Sequence, residues 1–232
     1  MKSLKGKFST IFFDADDTLW ENEQFFRTAE AQFADLLSDY TTPEGVQALL
    51  WQKQEENIPL FGYGSKTYMI GMTDAAVELC GGHLPDRIYH GVKKIITDLA
   101  YHEFEIIDGV EETLQTLYGQ YTMVVATKGD LPEQMNKFRI SGLAKYFHHC
   151  EVMENKDEKN YLELAAKHDL DPEQILMIGN SVKSDIAPVV NIGGTAIHTP
   201  HDVVWVHEMM EMPQSDRIIE VSGIRDILKY LL

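Results

Sequence analysis

Beyond about residue 103 the chain alternates short apolar runs with helical stretches, and that pattern leaves few folds open. The runs are Tyr121–Thr127, Phe147–Met153, Gln174–Gly179, Gly194–Thr199 and Arg217–Val221, and helical stretches begin near Gly109, Leu131, Tyr161, Ser184 and Ser222. Short apolar runs without polar alternation read as strands buried on both faces. Strand followed by helix, repeated, implies right-handed βαβ units and a parallel sheet covered on both sides. A further β-branched and aromatic run, Lys7–Ala15, reads as another buried strand far upstream.

Between that first strand and the rest, residues from about 21 to 102 are nearly all helical in pattern. Phe25, Phe26, Ala29, Phe33, Leu36 and Leu37 recur at helical spacing, which predicts an amphipathic helix from about Asn22 to Tyr40. Thr42 is placed to cap a second helix with Pro43 at its first position. More helical pattern covers Lys66–Leu79 and Pro85–Ala100, broken by Gly81-Gly82, and Leu60–Tyr68 reads as a loop between helices. The expected fold class is therefore α/β, with a Rossmann-like parallel-sheet core from residues 1–20 and 103–232. An inserted α-helical domain occupies 21–102. No internal repeat or low-complexity tract interrupts this plan.

Charge narrows the partners. Acidic residues outnumber basic ones 37 to 20, a formal net charge of −17. That field repels nucleic acid and anionic membrane surfaces, so neither is expected as a partner. It also opposes an anionic substrate at long range, so a phosphate site would need local positive charge. Two cysteines, Cys80 and Cys150, make no disulfide framework. The apolar stretch Ile11-Phe12-Phe13 is too short for a signal core, and no run reaches membrane-span length. The expectation is a soluble cytoplasmic protein; its oligomeric state is not legible.

The chemistry-bearing residues sit where the strands end. Asp14-Ala-Asp16-Asp17-Thr18-Leu19 follows the first strand, at the edge where doubly wound sheets bind ligands. Carboxylates this close raise one another's pKa unless a cation joins them, although an Asp-rich turn can also merely cap backbone groups. Thr127-Lys128-Gly129 ends the second run, where a hydroxyl and exposed N–H groups can cradle an anion or cap a helix. Lys156 follows the third run, and Gly179-Asn180-Ser181 with Asp185 follows the fourth, offering oxygen ligands to a hard cation.

These four features, in this order, resemble the motifs of the haloacid dehalogenase superfamily along the whole chain. Motif one matches as Asp14-x-Asp16-Asp17-Thr18-Leu19, motif two as Thr127, motif three as Lys156, and motif four as Gly179-Asn180 with Asp185. A helical insertion between motifs one and two is what the family terms a C1 cap. The resemblance implies a phosphatase-branch hydrolase acting on a small-molecule phosphate ester. Asp14 would be the nucleophile and Asp16 the general acid and base, with Thr127 and Lys156 completing the catalytic set. Thr127, Lys128 and Lys156 would meet the phosphate. Mg2+ would be held by Asp14, the backbone carbonyl of Asp16, Asn180 and Asp185. Dehalogenating members lack the second acid, because a halide leaves without a proton.

Two positions depart from the family pattern. Asn180 stands where an aspartate is usual, which removes one negative charge from the metal site and implies weaker Mg2+ affinity. Lys128 stands where asparagine is common. A phosphomutase would share every motif, and a phosphate-binding regulatory protein would use the same cleft without turnover. His148-His149-Cys150 and His198 with His201 lack a recognised zinc spacing. His201, Trp205 and His207 follow the strand ending near Thr199, close enough to the site edge for substrate or interface contacts.

Overall fold

The structure is a computed structural model, and it describes residues 3–100 and 105–232. The chain forms two compact units, residues 1–23 with 104–232, and residues 24–103. The second expected domain boundary, at 102–103, lies outside the described residues.

The first unit is built on six parallel strands: β1 (Thr10–Phe13), β2 (Thr122–Lys128), β3 (His149–Met153), β4 (Leu176–Gly179), β5 (Thr195–His198) and β6 (Ile218–Glu220). Their order is β3-β2-β1-β4-β5-β6, with Phe12 aligned to Val124 on one side and Met177 on the other. The chain moves outward from β1 through β2 to β3, then returns to the far side of β1 for β4. That reversal puts β1 at the topological switch point, where such sheets open a crevice at their carboxyl ends.

Alternation along β1 fills both faces. Ile11 and Phe13 join Val110, Leu114 and Leu117 of helix α5 (Val110–Leu117) and Ile224 and Ile227 in one core. Phe12 points the other way, to Tyr161, Leu164 and Ala165 of α7 (Glu158–Lys167) and to Val189. All three β1 side chains are fully buried. Truncating Phe12 to alanine would cost about 3–5 kcal/mol. The strand is shorter than the Lys7–Ala15 run because the backbone turns after Asp14, where Thr18 and Leu19 N–H groups bond back to the Ala15 carbonyl.

Two expected helix starts came out differently. Instead of a helix from Ser184, a π-turn spans Val182–Ile186 and then α8 spans Ala187–Asn191. The Ser181 carbonyl accepts from both Asp185 and Ile186, and the second of those bonds widens the turn. Near Ser222 the chain instead takes a 3-10 turn over Ile224–Ile227, followed by α9 (Leu228–Leu231).

The second unit packs α1 (Glu23–Leu36), α2 (Pro43–Phe61), α3 (Ser65–Leu79) and α4 (Asp86–Ala100) around Phe33, Leu37, Leu50, Met72, Ile88 and Val92. The Thr42 hydroxyl accepts from the Gly45 N–H at 3.2 Å, a cap worth about 1 kcal/mol. The expected loop over Leu60–Tyr68 shrinks to Gly62-Tyr63-Gly64, because α2 continues through Pro59 to Phe61. Gly62 and Gly64 hold φ of 76° and 136°, so two residues without Cβ make the reversal that would otherwise need a longer loop.

Candidate active site

Four chain segments leaving the sheet meet beyond the carboxyl end of β1. The Asp14 N–H extends the ladder by donating to the Ile178 carbonyl at 2.8 Å, which fixes the backbone where its side chain enters the crevice. Its carboxylate accepts from the Lys156 ammonium on one oxygen and lies 3.0 Å from the Thr18 hydroxyl on the other. Lys156 also donates to Asp185 Oδ1 at 2.6 Å, while the Ser181 N–H holds Asp185 Oδ2 at 3.0 Å. Gly179 is required here by space, since a Cβ on it would run into the Asp185 carboxylate.

The charges in this cluster do not balance. One ammonium faces two carboxylates, all at least nine-tenths buried. Burial and the neighbouring Asp185 push the Asp14 carboxyl up to about 7 against the pull of Lys156. Burial likewise lifts Asp185 despite Lys156. Lys156 is driven the other way: burial would lower it, but Asp14 and Asp185 hold it well above its ordinary value. A buried, uncompensated negative charge surrounded by oxygen donors suits a hard cation. Asp14, Asp185 and the Asn180 amide oxygen therefore fit Mg2+. The Thr18 hydroxyl organises this set: it lies 3.2 Å from Asn180 Oδ1 and accepts from the Asn180 N–H at 3.1 Å. With one hydrogen, it can donate to Asp14 or Asn180 but not to both at once.

Asp16 faces elsewhere. Its carboxylate accepts from Trp20 Nε1 at 2.6 Å, and from Gln134 Nε2 at 2.9 Å and Lys137 Nζ at 3.0 Å, both on α6 (Leu131–Ile140). Burial alone would raise this carboxyl, but Lys137, Gln134 and Trp20 outweigh it and hold it below the usual range. Gln134 also reaches the Thr127 hydroxyl at 2.8 Å and the Lys128 carbonyl at 3.0 Å, so it ties motifs one and two together. Asp17, the third acid, does the capping work: it accepts from the Asn22 and Glu23 N–H groups at the start of α1. It sits at φ 59°, and burial lifts its carboxyl to about 7. The acidic cluster thus divides into Asp14 facing Lys156, Asp16 facing α6, and Asp17 shaping a turn.

The Lys128 ammonium pairs with Glu208 and lies 2.9 Å from the Ser184 hydroxyl. The histidines are dispersed. His198 Nε2 lies 2.9 Å from the Asn180 carbonyl, and His148 Nδ1 accepts from the Met123 N–H. His201 Nε2 lies 2.9 Å from Glu21, and burial's downward push on its ring is overcome by Val203, Asp17 and Glu21, which raise it. Asp17, Glu21 and His201 are, among the described residues, a His/Asp/Glu trio close enough to share an ion, distinct from the ligand set expected at Asp14. Gln134, Lys137 and Glu208 lie outside the motifs, while Thr18 and Ser184 lie within the motif stretches without a role of their own. Gln134 and Lys137 share a helical face at three-residue spacing, but spacing cannot say what that face meets. Glu208 lies in a stretch with no periodicity at all.

A buried carboxylate at the switch point, a lysine between it and a second acid, and a separate carboxylate two residues on thus gather at the carboxyl edge of a Rossmann-like sheet. Residues 8–193 match the family model described as haloacid dehalogenase-like hydrolase, and the chain belongs to that family. No curated protein matches the chain. Among solved structures, a haloacid dehalogenase-like family hydrolase from Xanthomonas campestris is 35% identical, with a TM-score of 0.84 over 94% of this chain and 88% of that one. The HAD-family protein YfnB of Bacillus subtilis, solved bound to magnesium, is 19% identical with a TM-score of 0.63, covering 97% and 98%. A 2-haloacid dehalogenase from Pseudomonas syringae is 21% identical with a TM-score of 0.59, covering 96% and 97%. The last two likenesses speak to fold alone. No helix among the described residues is long and apolar enough to cross a membrane.

Proposed function

We propose that this hydrolase is a Mg2+-dependent phosphatase that cleaves a small-molecule phosphate monoester through an aspartyl phosphate on Asp14. The observation that carries this reading is the second acid: Asp16 is gripped by Trp20, Gln134 and Lys137 beside the nucleophile. A halide departs without a proton, so dehalogenation leaves such a group unused, whereas an alkoxide needs one.

An Asp14 oxygen attacks phosphorus, the ester P–O bond breaks, and the Asp16 proton passes to the leaving alkoxide. Water then attacks the aspartyl phosphate while Asp16 takes its proton. The P–O bond to Asp14 breaks, and phosphate and free carboxylate result. Thr127 and Lys156 orient and neutralise the phosphoryl oxygens, with the Lys128 charge held in reserve by Glu208. Mg2+, when bound by Asp14, the Asp16 backbone carbonyl, Asn180 and Asp185, supplies positive charge against the repulsion between carboxylate and phosphate dianion. YfnB's magnesium supports that choice of metal.

Residues 21–102 are proposed as a C1-type cap that screens the reaction from water and sets specificity. The thiols of Cys80 and Cys150 are free, which suits a cytoplasmic setting. A panel of phosphate esters assayed for Mg2+-dependent phosphate release tests the reading, with 2-chloropropanoate as the halide control. Chloride release without phosphate release would overturn it, and isomer formation without free phosphate would make the enzyme a phosphomutase.

A further inference from the structure

The π-turn that carries Asp185 is braced from outside by a segment that none of the four motifs includes. A 3-10 turn over Val206–Glu208, closed by the Glu208 N–H donating to the Trp205 carbonyl at 2.9 Å, lies against it. Glu208 Oε1 accepts from the Ser184 hydroxyl at 3.0 Å and from the Lys128 ammonium. Lys183 donates to the His207 carbonyl at 2.8 Å, and the Lys128 ammonium sits 5.9 Å from the centre of the Trp205 ring. The Tyr161 hydroxyl donates to the Ser184 carbonyl at 3.0 Å. The side chains of Lys128 and Glu208 are only 17% and 12% exposed, so the pair is shielded from solvent and salt.

We propose that Glu208 is a positioning residue whose carboxylate ties Lys128, at the end of β2, to the turn bearing Asp185. The pair spends both charges on this tether. A π-turn is a poorly self-supported piece of backbone, and Asp185 must hold its place against the pull of Lys156. Fastening Ser184, its immediate neighbour, to a rigid strand end limits that freedom. The same pairing keeps the Lys128 charge away from an arriving anion, leaving Lys156 as the cation that meets it. Burial would raise the Glu208 carboxyl, but Lys128 and the Ser181 and Ser184 hydroxyls hold it low, in keeping with a permanently charged tether.

Amide hydrogen exchange tests the tether with neither substrate nor metal present. Glu208→Gln and Lys128→Met should each speed exchange across 182–186 and 206–209 by about tenfold, the loss of roughly 1.4 kcal/mol of local stability. The double variant should exchange no faster than the faster single one, because both lose the same bond. Exchange unchanged in both single variants, or additive in the double, would overturn the proposal. A mere packing role would not alter anion binding, so calorimetry with orthophosphate in Mg2+ buffer adds a second readout. Glu208→Gln should bind orthophosphate about three- to tenfold more tightly, and adding Lys128→Met should cancel the gain. A gain that survives Lys128→Met would refute the charge-withholding part. Wild type that binds no orthophosphate would count against the phosphatase reading, while the exchange result would still decide the tether.

Discussion

Asp14 and Asp16 leave the same strand two residues apart, yet their surroundings push them in opposite directions. Asp14 is enclosed with Asp185 and a single lysine, and its carboxyl is lifted to about 7. Asp16 turns to α6 and the Trp20 indole, where three donors lower it. The difference comes from what each side chain meets: β3 and β4 deliver Lys156 and Asp185 to one, while the helix after β2 delivers Gln134 and Lys137 to the other. Two carboxylates with divergent environments can take divergent roles, one awaiting a cation and one trading protons.

The harshest test of that division is to remove each acid. Asp14→Asn should reduce phosphate release on the order of 10⁴-fold or more, since no other group can form the covalent intermediate. Asp16→Asn should lose about 10²- to 10⁴-fold, the usual share of a general acid–base. Rapid-quench labelling separates the two: a phosphorylated protein should form with Asp16→Asn and an activated ester, but never with Asp14→Asn. Equal labelling of both variants would erase the distinction drawn here.

Milder changes should sharpen it. Lys137→Met removes the largest influence lowering Asp16, so that carboxyl should rise. The acid form protonates the leaving group, and activity falls as pH climbs through this group's pKa. Since Asp16 is held below the usual carboxylate range, that fall of kcat/KM should lie at acid pH in the wild type and move to higher pH in Lys137→Met, and a profile identical to wild type would show that Lys137 does not tune Asp16. Asn180→Asp should act on the other acid's side, adding charge beside Asp14 and Asp185. Calorimetric Mg2+ titration should show about tenfold tighter binding, an unchanged isotherm meaning that Asn180 does not face the metal.

Much of this is legible in the sequence, and the reason is physical. Helix and strand periods mark the sheet, and ligands gather at strand ends, so Asp14, Lys156 and Asp185 could be placed at one edge from order alone. Leu60–Tyr68 misled because glycines and aromatics suggest a loop, whereas Gly62 and Gly64 concentrate the whole turn in a few residues. Lys128 was legible as a charge near the second strand's end, but its partner lies 80 residues on in an aperiodic stretch. Asp17 is the acid of motif one to which the resemblance gives no role; its bonds to the Asn22 and Glu23 N–H groups show it fixing the turn.

The smallest expected effect concerns stability and has opposite signs for the two acids. A buried aspartate with its pKa raised from 3.8 to about 7 binds a proton more tightly folded than unfolded. Its ionised form therefore penalises the fold, absent below about pH 3.8, growing through the interval and complete above 7. Asp14→Asn removes the penalty while Lys156 keeps Asp185 as partner. Metal-free Asp14→Asn should thus be more stable than wild type at neutral pH by on the order of 1–3 kcal/mol, a few degrees in Tm. The gain should vanish in acid and shrink when Mg2+ is added, because the ion compensates the same charge in the wild type. Asp16 runs the other way: its lowered pKa makes the ionised form stabilising above the unfolded value, and Asp16→Asn also removes the nearer carboxylate of Lys137, leaving it Glu133 at 3.8 Å. Thermal melts of both variants between pH 4 and 8 should diverge in sign at the neutral end, and parallel shifts would mean that the two carboxylates share one environment after all.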